Sequence, residues 1–226
     1  MKNCLVRLKD LQPGTQYYCV SGIVVNGHKL YSPVLAFETT DKYIPEGAVD
    51  LGMDLLWASC NLGASSPEET GNRYAWGELE TKESFSWDNY SFIANGNEQE
   101  RLYSHDVARA KLGRGWRMPT WQDYSALLRN SALEFTVCKM GEVLGLRIEN
   151  KHTEQRIFLP FAGVKKDSEV YDPGYAYGAY LTSDLSFVDQ SRYPYFFYFE
   201  EEAKGFRDYG FDRAFGFAVR PVFEAR

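Results

Sequence analysis

Apolar and polar positions alternate along most of this chain, and long apolar runs are rare. Alternation with a period of two marks strands that bury one face, whereas apolar positions three and four apart mark a helix. On this basis the segment 2–41 reads as three strands: Leu5–Lys9, a longer β-rich run Tyr17–Val25, and Val34–Thr39. Asn26-Gly27 is a strong hairpin signal, because both residues tolerate the left-handed backbone of a tight turn. Asp41 to Ala48 carries Pro45 and Gly47 and reads as a linker. Leu51, Met53, Leu55 and Trp57 then alternate as in a half-buried strand, with Cys60 continuing the run as core filler. Residues 63–103 are mostly loop, interrupted by a short aromatic strand at Tyr74–Gly77.

The helical pattern is confined to two places. Asp106 to Leu112 is a short helix stopped by Gly113. The stretch Gly113-Arg114-Gly115-Trp116-Arg117-Met118-Pro119-Thr120 introduces the other. Pro119 disfavours helix at Met118, Thr120 is a good N-cap, and Asp123 falls near the positive end of the helix dipole. Trp121, Tyr124, Leu127 and Leu128 share one helical face, so the helix packs on a sheet, and Trp116 and Arg117 read as structural. Beyond it, Val143–Glu149 and Arg156–Leu159 form a hairpin. Tyr180–Ser183, the aromatic run Tyr195–Phe199 and a closing stretch Phe215–Phe223 read as strands, and Glu200-Glu201-Glu202 as a solvated turn.

Several of these stretches carry a family resemblance. Gly115-Trp116-Arg117-Met118-Pro119-Thr120 resembles a segment of a domain common in surface proteins of Bacteroidetes and Fibrobacter. That domain is similar to the C-type-lectin-like fold of the formylglycine-generating (sulfatase-modifying factor) superfamily. Further matches are Val49–Gly52 with Trp57–Ala64, Tyr74–Glu78, Asp106–Ala110, Phe158–Gly163 and Gly216–Val222, in a consistent order over 49–223. In the N-terminal segment, Leu11-Gln12-Pro13-Gly14-Thr15-Gln16-Tyr17 resembles the tyrosine corner of fibronectin type III domains, and Phe37-Glu38-Thr39-Thr40 their end. The first strands of such a domain are missing. The resemblance thus implies an α+β chain: a partial fibronectin type III sandwich at 1–41, a linker at 42–49, and a C-type-lectin-like domain at 50–226. It also implies that the last strand returns beside the first, and a location at the cell surface or outside the cell. The half-sandwich would leave an apolar sheet face uncovered, which is an expected site of self-association.

Composition narrows the chemistry. A net charge of −6 argues against a nucleic-acid partner, which needs a basic face. No segment approaches membrane-spanning length, and nothing reads as a signal peptide, so an export signal would lie upstream. Cys4, Cys19, Cys60 and Cys138 include no C-x-x-C pair, so no zinc or redox site is expected, and a disulfide pairing stays open. His28, His105 and His152 lack metal-ligand spacing. No nucleophile elbow, phosphate loop or metalloprotease motif occurs. Catalytic members of the resembled superfamily use paired cysteines near the domain end, and no cysteine follows Cys138 here. The scaffold therefore reads as lacking a catalytic site and a metal site.

The expected function is a non-catalytic extracellular binding or adhesion module for a glycan or a surface protein. Sugars stack on aromatic faces while their hydroxyls pair with Asp, Asn and backbone groups. Loops 85–98 and 171–193 suit that role, with Trp87, Asp88, Asn89, Tyr171, Tyr175 and Tyr177 as candidate ligand-binding residues. Trp87-Asp88-Asn89 superficially resembles calcium-and-sugar tripeptides of true C-type lectins; no partner motif accompanies it, so no cofactor is expected and calcium stays open as the minor alternative. The alternatives are an architectural or protein-interaction domain without a small ligand, and a hydrolase with an unrecognised carboxylate pair.

Overall fold

The computed structural model describes residues 8, 11, 14–39, 43–92, 105–171 and 176–224. The expected first strand apart from Leu8, together with Cys4, the polar stretch 95–101 and Tyr175, lies outside them. The chain divides into two compact units between Tyr43 and Ile44.

The smaller unit holds β1 (Gln16–Cys19), β2 (Gly22–Val25), β3 (His28–Tyr31) and β4 (Leu35–Glu38). The run expected as one strand over 17–25 is therefore two, with different partners. β1 pairs antiparallel with β4, and β2 pairs antiparallel with β3. The β2–β3 hairpin turns at Asn26 and Gly27, whose φ angles of 51° and 80° are the two positive values a tight mirror-image turn requires. Tyr17 stacks on Phe37 across β1–β4 at 5.8 Å. Many apolar side chains of this unit face outward: Tyr18, Ile23, Val24, Tyr31 and Leu35 are all more than half exposed.

The larger unit is mostly β, with two short helices among the described residues. In order it contains β5 (Ala48–Val49), β6 (Leu55–Ala58), β7 (Arg73–Tyr74), α1 (Val107–Leu112), β8 (Trp116–Arg117), α2 (Trp121–Arg129), β9 (Leu133–Met140), β10 (Val143–Asn150), β11 (Arg156–Pro160), β12 (Val164–Lys166), β13 (Glu169–Val170), β14 (Gly178–Leu185), β15 (Pro194–Phe199), β16 (Lys204–Arg207), β17 (Gly216–Ala218) and β18 (Val222–Glu224). A seven-stranded sheet runs β13-β12-β17-β14-β15-β16, with β7 also paired to β17; only β14 and β17 run parallel. A second sheet, β5-β6-β18-β8, and a third, β11-β10-β9, complete the unit.

The large sheet separates two hydrophobic cores, and strand alternation assigns side chains to each. Phe196 and Tyr198 of β15 face one core with Tyr177, Leu181, Phe217 and Val107. Phe197 and Phe199, one residue out of phase, face the other with Tyr180, Tyr124, Leu127 and Ile148. The second core is where α2 packs: the Tyr124 ring stacks on Phe197 at 4.5 Å. Burying side chains of this size is worth roughly 1.5–3 kcal/mol each.

The stretch leading into α2 behaves as its residues dictate. Thr120 caps the helix: its hydroxyl accepts the Asp123 N–H at 3.2 Å, and the Asp123 carboxylate accepts the Thr120 N–H at 2.7 Å. Arg117 bridges Asp123 at 2.6 Å and Glu224 of β18 at 2.7 Å, so its guanidinium ties the cap to the closing strand. Gly115 has a φ of 93°, and a Cβ there would lie 2.3 Å from the Phe223 ring. Only glycine admits both that backbone and the contact of Trp116 with Phe223 at 5.3 Å.

Four expected elements of the larger unit differ. The strand expected at Tyr74–Gly77 is Arg73–Tyr74, and Trp76 and Gly77 form a turn. The linker 42–49 already ends in β5. The strand expected from Leu51 to Trp57 is broken: Gly52 takes a positive φ of 75° and its N–H bonds the Asp50 side chain at 2.9 Å, so only Leu55–Ala58 pairs. The closing stretch is two strands in two sheets, parted at Val219-Arg220-Pro221, where proline has no N–H for a ladder. β18 pairs with β6, Val222 opposite Trp57.

Arg220 explains that break. It is wholly buried, and its guanidinium donates to the carbonyls of Ala58, Ser59 and Phe158 and to Asn61 Oδ1, at 2.7–2.9 Å. Asn61 in turn donates to the Tyr180 hydroxyl, which donates to Pro160 O at 2.8 Å. One cation thus satisfies carbonyls from segments that no single ladder could join. Arg73 does the same on a smaller scale, donating to the carbonyls of Ala162 and Gly163.

Candidate functional site

The two loops nominated by sequence meet at one segment, 209–213. From one side, Trp87 donates its indole N–H to Asp212 at 2.9 Å. From the other, the Tyr171 ring lies edge-on to Phe211 at 5.6 Å. Phe211 belongs to the wall of a cleft of about 320 Å³. This volume is within the range of small-ligand sites.

The cleft is built on the outer end of the large sheet. β15 supplies Tyr198 and β16 supplies Arg207, whose register places Phe196 opposite Arg207 and Tyr198 opposite Gly205. Gly205 has no side chain to cover the Tyr198 ring, and Arg207 lies over it diagonally, its guanidinium carbon 3.8 Å from the ring centre. Tyr177 stacks between Tyr198 at 5.7 Å and Phe211 at 5.9 Å. On the opposite wall β12 contributes Lys166, with Nζ 5.7 Å from the Phe215 ring centre. Tyr171 and Tyr209 stand at the rim, 48% and 60% exposed. The result is a ring-lined groove with two cations on it. Among the described residues, neither Lys166 nor Arg207 makes an ion pair or a hydrogen bond.

The residues expected from sequence distribute unevenly over this geometry. Tyr171 lines the cleft and is exposed, as a displayed ring should be. Tyr177 also lines it, but is only 3% exposed. Its hydroxyl accepts the Val164 N–H and donates to Tyr171 O, both at 3.1 Å, so it holds the loop rather than projecting from it. Trp87 and Asp88 are exposed but do not line the cleft. Asn89 closes its own turn: its amide accepts the Ser86 N–H at 3.2 Å and donates to Ser84 O at 2.9 Å, which leaves its amide a turn-former. Tyr175 lies outside the described residues.

Lys166, Tyr198, Arg207, Tyr209, Phe211 and Phe215 were not expected here. Arg207, Tyr209 and Phe211 fall in Lys204–Phe211, where cations, aromatics and glycines alternate. Only the cross-strand register sets Arg207 over Tyr198.

Other polar groups serve the fold. Asp106 caps α1 by accepting the Arg109 N–H at 2.9 Å, and also accepts the Met118 N–H at 2.9 Å. Cys19, Cys60 and Cys138 carry free thiols, and each is half-buried. Among the described residues, no three His, Cys, Asp or Glu side chains converge as metal ligands. No described helix is long and apolar enough to cross a membrane. No family model, curated protein or solved structure matches the chain.

Proposed function

We propose that this chain is a non-catalytic binding module of the cell surface or extracellular space, with a C-type-lectin-like larger unit that holds a glycan in the aromatic cleft. The carrying observation is the cleft itself: exposed Tyr171 and Tyr209 flank a floor of stacked Tyr177, Tyr198 and Phe211. The ring faces free to meet the C–H surfaces of a sugar are those of exposed Tyr171 and Tyr209, since Tyr177 is stacked on both sides and Arg207 covers Tyr198, and a few polar groups at the edge fix its orientation. The pairing of β18 with β6, and the capped stretch Gly115–Thr120, support the lectin-like reading of the unit. A glycan array tests it. Binding should fall with Tyr209→Ala and Tyr171→Ala while thermal unfolding stays unchanged. An array with no hit for the native chain would remove the proposal.

The smaller unit favours a second role, in assembly. Its outward Tyr18, Ile23, Val24, Tyr31 and Leu35 are exposed on both faces of their strand pairs, since Ile23 and Val24 are consecutive and Tyr18 pairs with Ala36 rather than Leu35. Self-association through these exposed apolar side chains predicts a mass above one chain by light scattering at high concentration. Ile23→Lys with Leu35→Lys should return the monomer. A monomer at every concentration would exclude this role.

A further inference from the structure

We infer that the cleft selects an anionic saccharide, one whose carboxylate or sulfate is held by Arg207 and Lys166 while its ring lies against the rim tyrosines Tyr171 and Tyr209. This rests on the glycan reading above and narrows it. In a chain of net charge −6, cations are the minority, and those elsewhere in the larger unit are largely engaged. Arg117 is held by two carboxylates, Arg192 by Asp212, Lys82 by Glu78 and Lys111 by Glu80. Arg73 and Arg220 are held by carbonyls. Lys166 and Arg207 instead lie over aromatic rings in the same groove, with no acid bonded to either among the described residues.

Ring contact orients a guanidinium without consuming its N–H donors, which stay in the ring-parallel plane and free for an anion. A planar fork of that kind matches a carboxylate or sulfate with two parallel hydrogen bonds. Lys166, exposed on the facing wall, adds a point charge. The exposed rim tyrosines then separate a sugar acid from a simple anion: charge alone gives little grip at a hydrated surface, and stacking alone does not discriminate charge.

The test uses affinity electrophoresis and calorimetry on the full chain with matched polymers. The probes are polygalacturonate, its methyl-esterified form, a sulfated glycosaminoglycan, a neutral xylan and polyglutamate. Polygalacturonate or the sulfated chain should bind roughly tenfold or more tighter than the ester and the xylan. The preference should weaken with salt. Comparing the first and third probes identifies carboxylate or sulfate as the preferred group. Arg207→Leu and Lys166→Ala should each abolish the preference with thermal unfolding shifted by at most a few degrees, and Tyr209→Ala should weaken every sugar alike. Equal binding of xylan and polygalacturonate, insensitive to Arg207→Leu, would overturn the inference and leave the glycan reading intact. Polyglutamate binding as well as polygalacturonate would overturn it in favour of an acidic-peptide site. Binding of no polymer would remove both.

Discussion

Arg220 and Arg207 belong to the same unit and the same residue type, and the molecule uses them in opposite ways. Arg220 is wholly buried, and burial pulls the guanidinium's pKa below its ordinary value; four hydrogen bonds to oxygen hold it. Arg207 is half-buried, makes no hydrogen bond among the described residues, and rests on Tyr198. A desolvated charge persists only if its surroundings are built around it, so Arg220 identifies a place where the fold converges. A cation with a fixed plane and unused donors identifies a place left open to something else. Burial and bonding therefore separate a charge that the fold consumes from one that it leaves available, where sequence shows only two arginines.

The largest effect should come from breaking the first member of that pair. Arg220→Met removes the donors to Ala58 O, Ser59 O and Phe158 O and leaves those carbonyls buried and unmatched. The expected cost is on the order of 3–5 kcal/mol, enough to unfold a domain of ordinary stability. Arg207→Met should shift the urea midpoint by no more than about 0.5–1 kcal/mol equivalent, since it loses one cation–ring contact at the surface. Equal costs for the two would show that Arg207 is also structural, and the cleft reading would lose its main support.

A smaller version of the same contrast lies between two tyrosines of the cleft. Tyr177→Ala removes a ring that is 3% exposed and stacked on both sides, so about 3–5 kcal/mol of stability should go with it. Tyr209→Ala removes a ring that is 60% exposed and should be nearly silent in unfolding, within about 0.5 kcal/mol. Thermal melts of the two variants check this directly. A loss of binding in Tyr177→Ala alone would be a folding effect, whereas a loss in Tyr209→Ala reports on the ligand.

Much of the scaffold was legible because its signals are local. Thr120 and Asp123 sit three apart and cap α2, and Asn26-Gly27 turns its hairpin, whatever the rest of the chain does. Val143–Asn150 and Arg156–Pro160 lie close in sequence and alternate cleanly, so their pairing follows. β9 escaped the reading: Leu133–Met140 is at the edge of its sheet and half-buried along most of its length, so neither phase of its alternation stands out. The site was less legible than the fold. Tyr171 and Tyr177 drew notice by density of rings, but which ring is floor and which is rim depends on the hydroxyl of Tyr177 reaching Val164. Lys166 and Arg207 come from strands 41 positions apart by number, and nothing within either strand announces the other. Long-range register, not residue type, assembles the cleft.

The smallest effect tests the rule at a buried anion. Asp106 is 6% exposed and accepts backbone N–H groups from Arg109 and Met118, as Arg220 donates to backbone carbonyls. Burial nevertheless holds its carboxyl above the usual aspartate value, against the pull of those hydrogen bonds. An acid whose folded pKa exceeds its unfolded one binds the proton more readily when native. Its contribution to stability is then fullest below the unfolded value near 3.9 and fades as pH rises through the folded one. Asp106→Asn cannot titrate; its Oδ1 can keep the Arg109 bond and the longer Met118 bond at 3.1 Å, while its Nδ2 replaces the oxygen that accepts Met118 N–H at 2.9 Å, a cost that does not change with pH. The native chain should therefore gain in melting temperature relative to Asp106→Asn as pH falls from about 7 to about 4. A gap that stays constant across that range, or that closes on acidification, would mean that the N–H groups outweigh burial at Asp106, and that backbone donors compensate a buried charge more completely at this anion than burial allows.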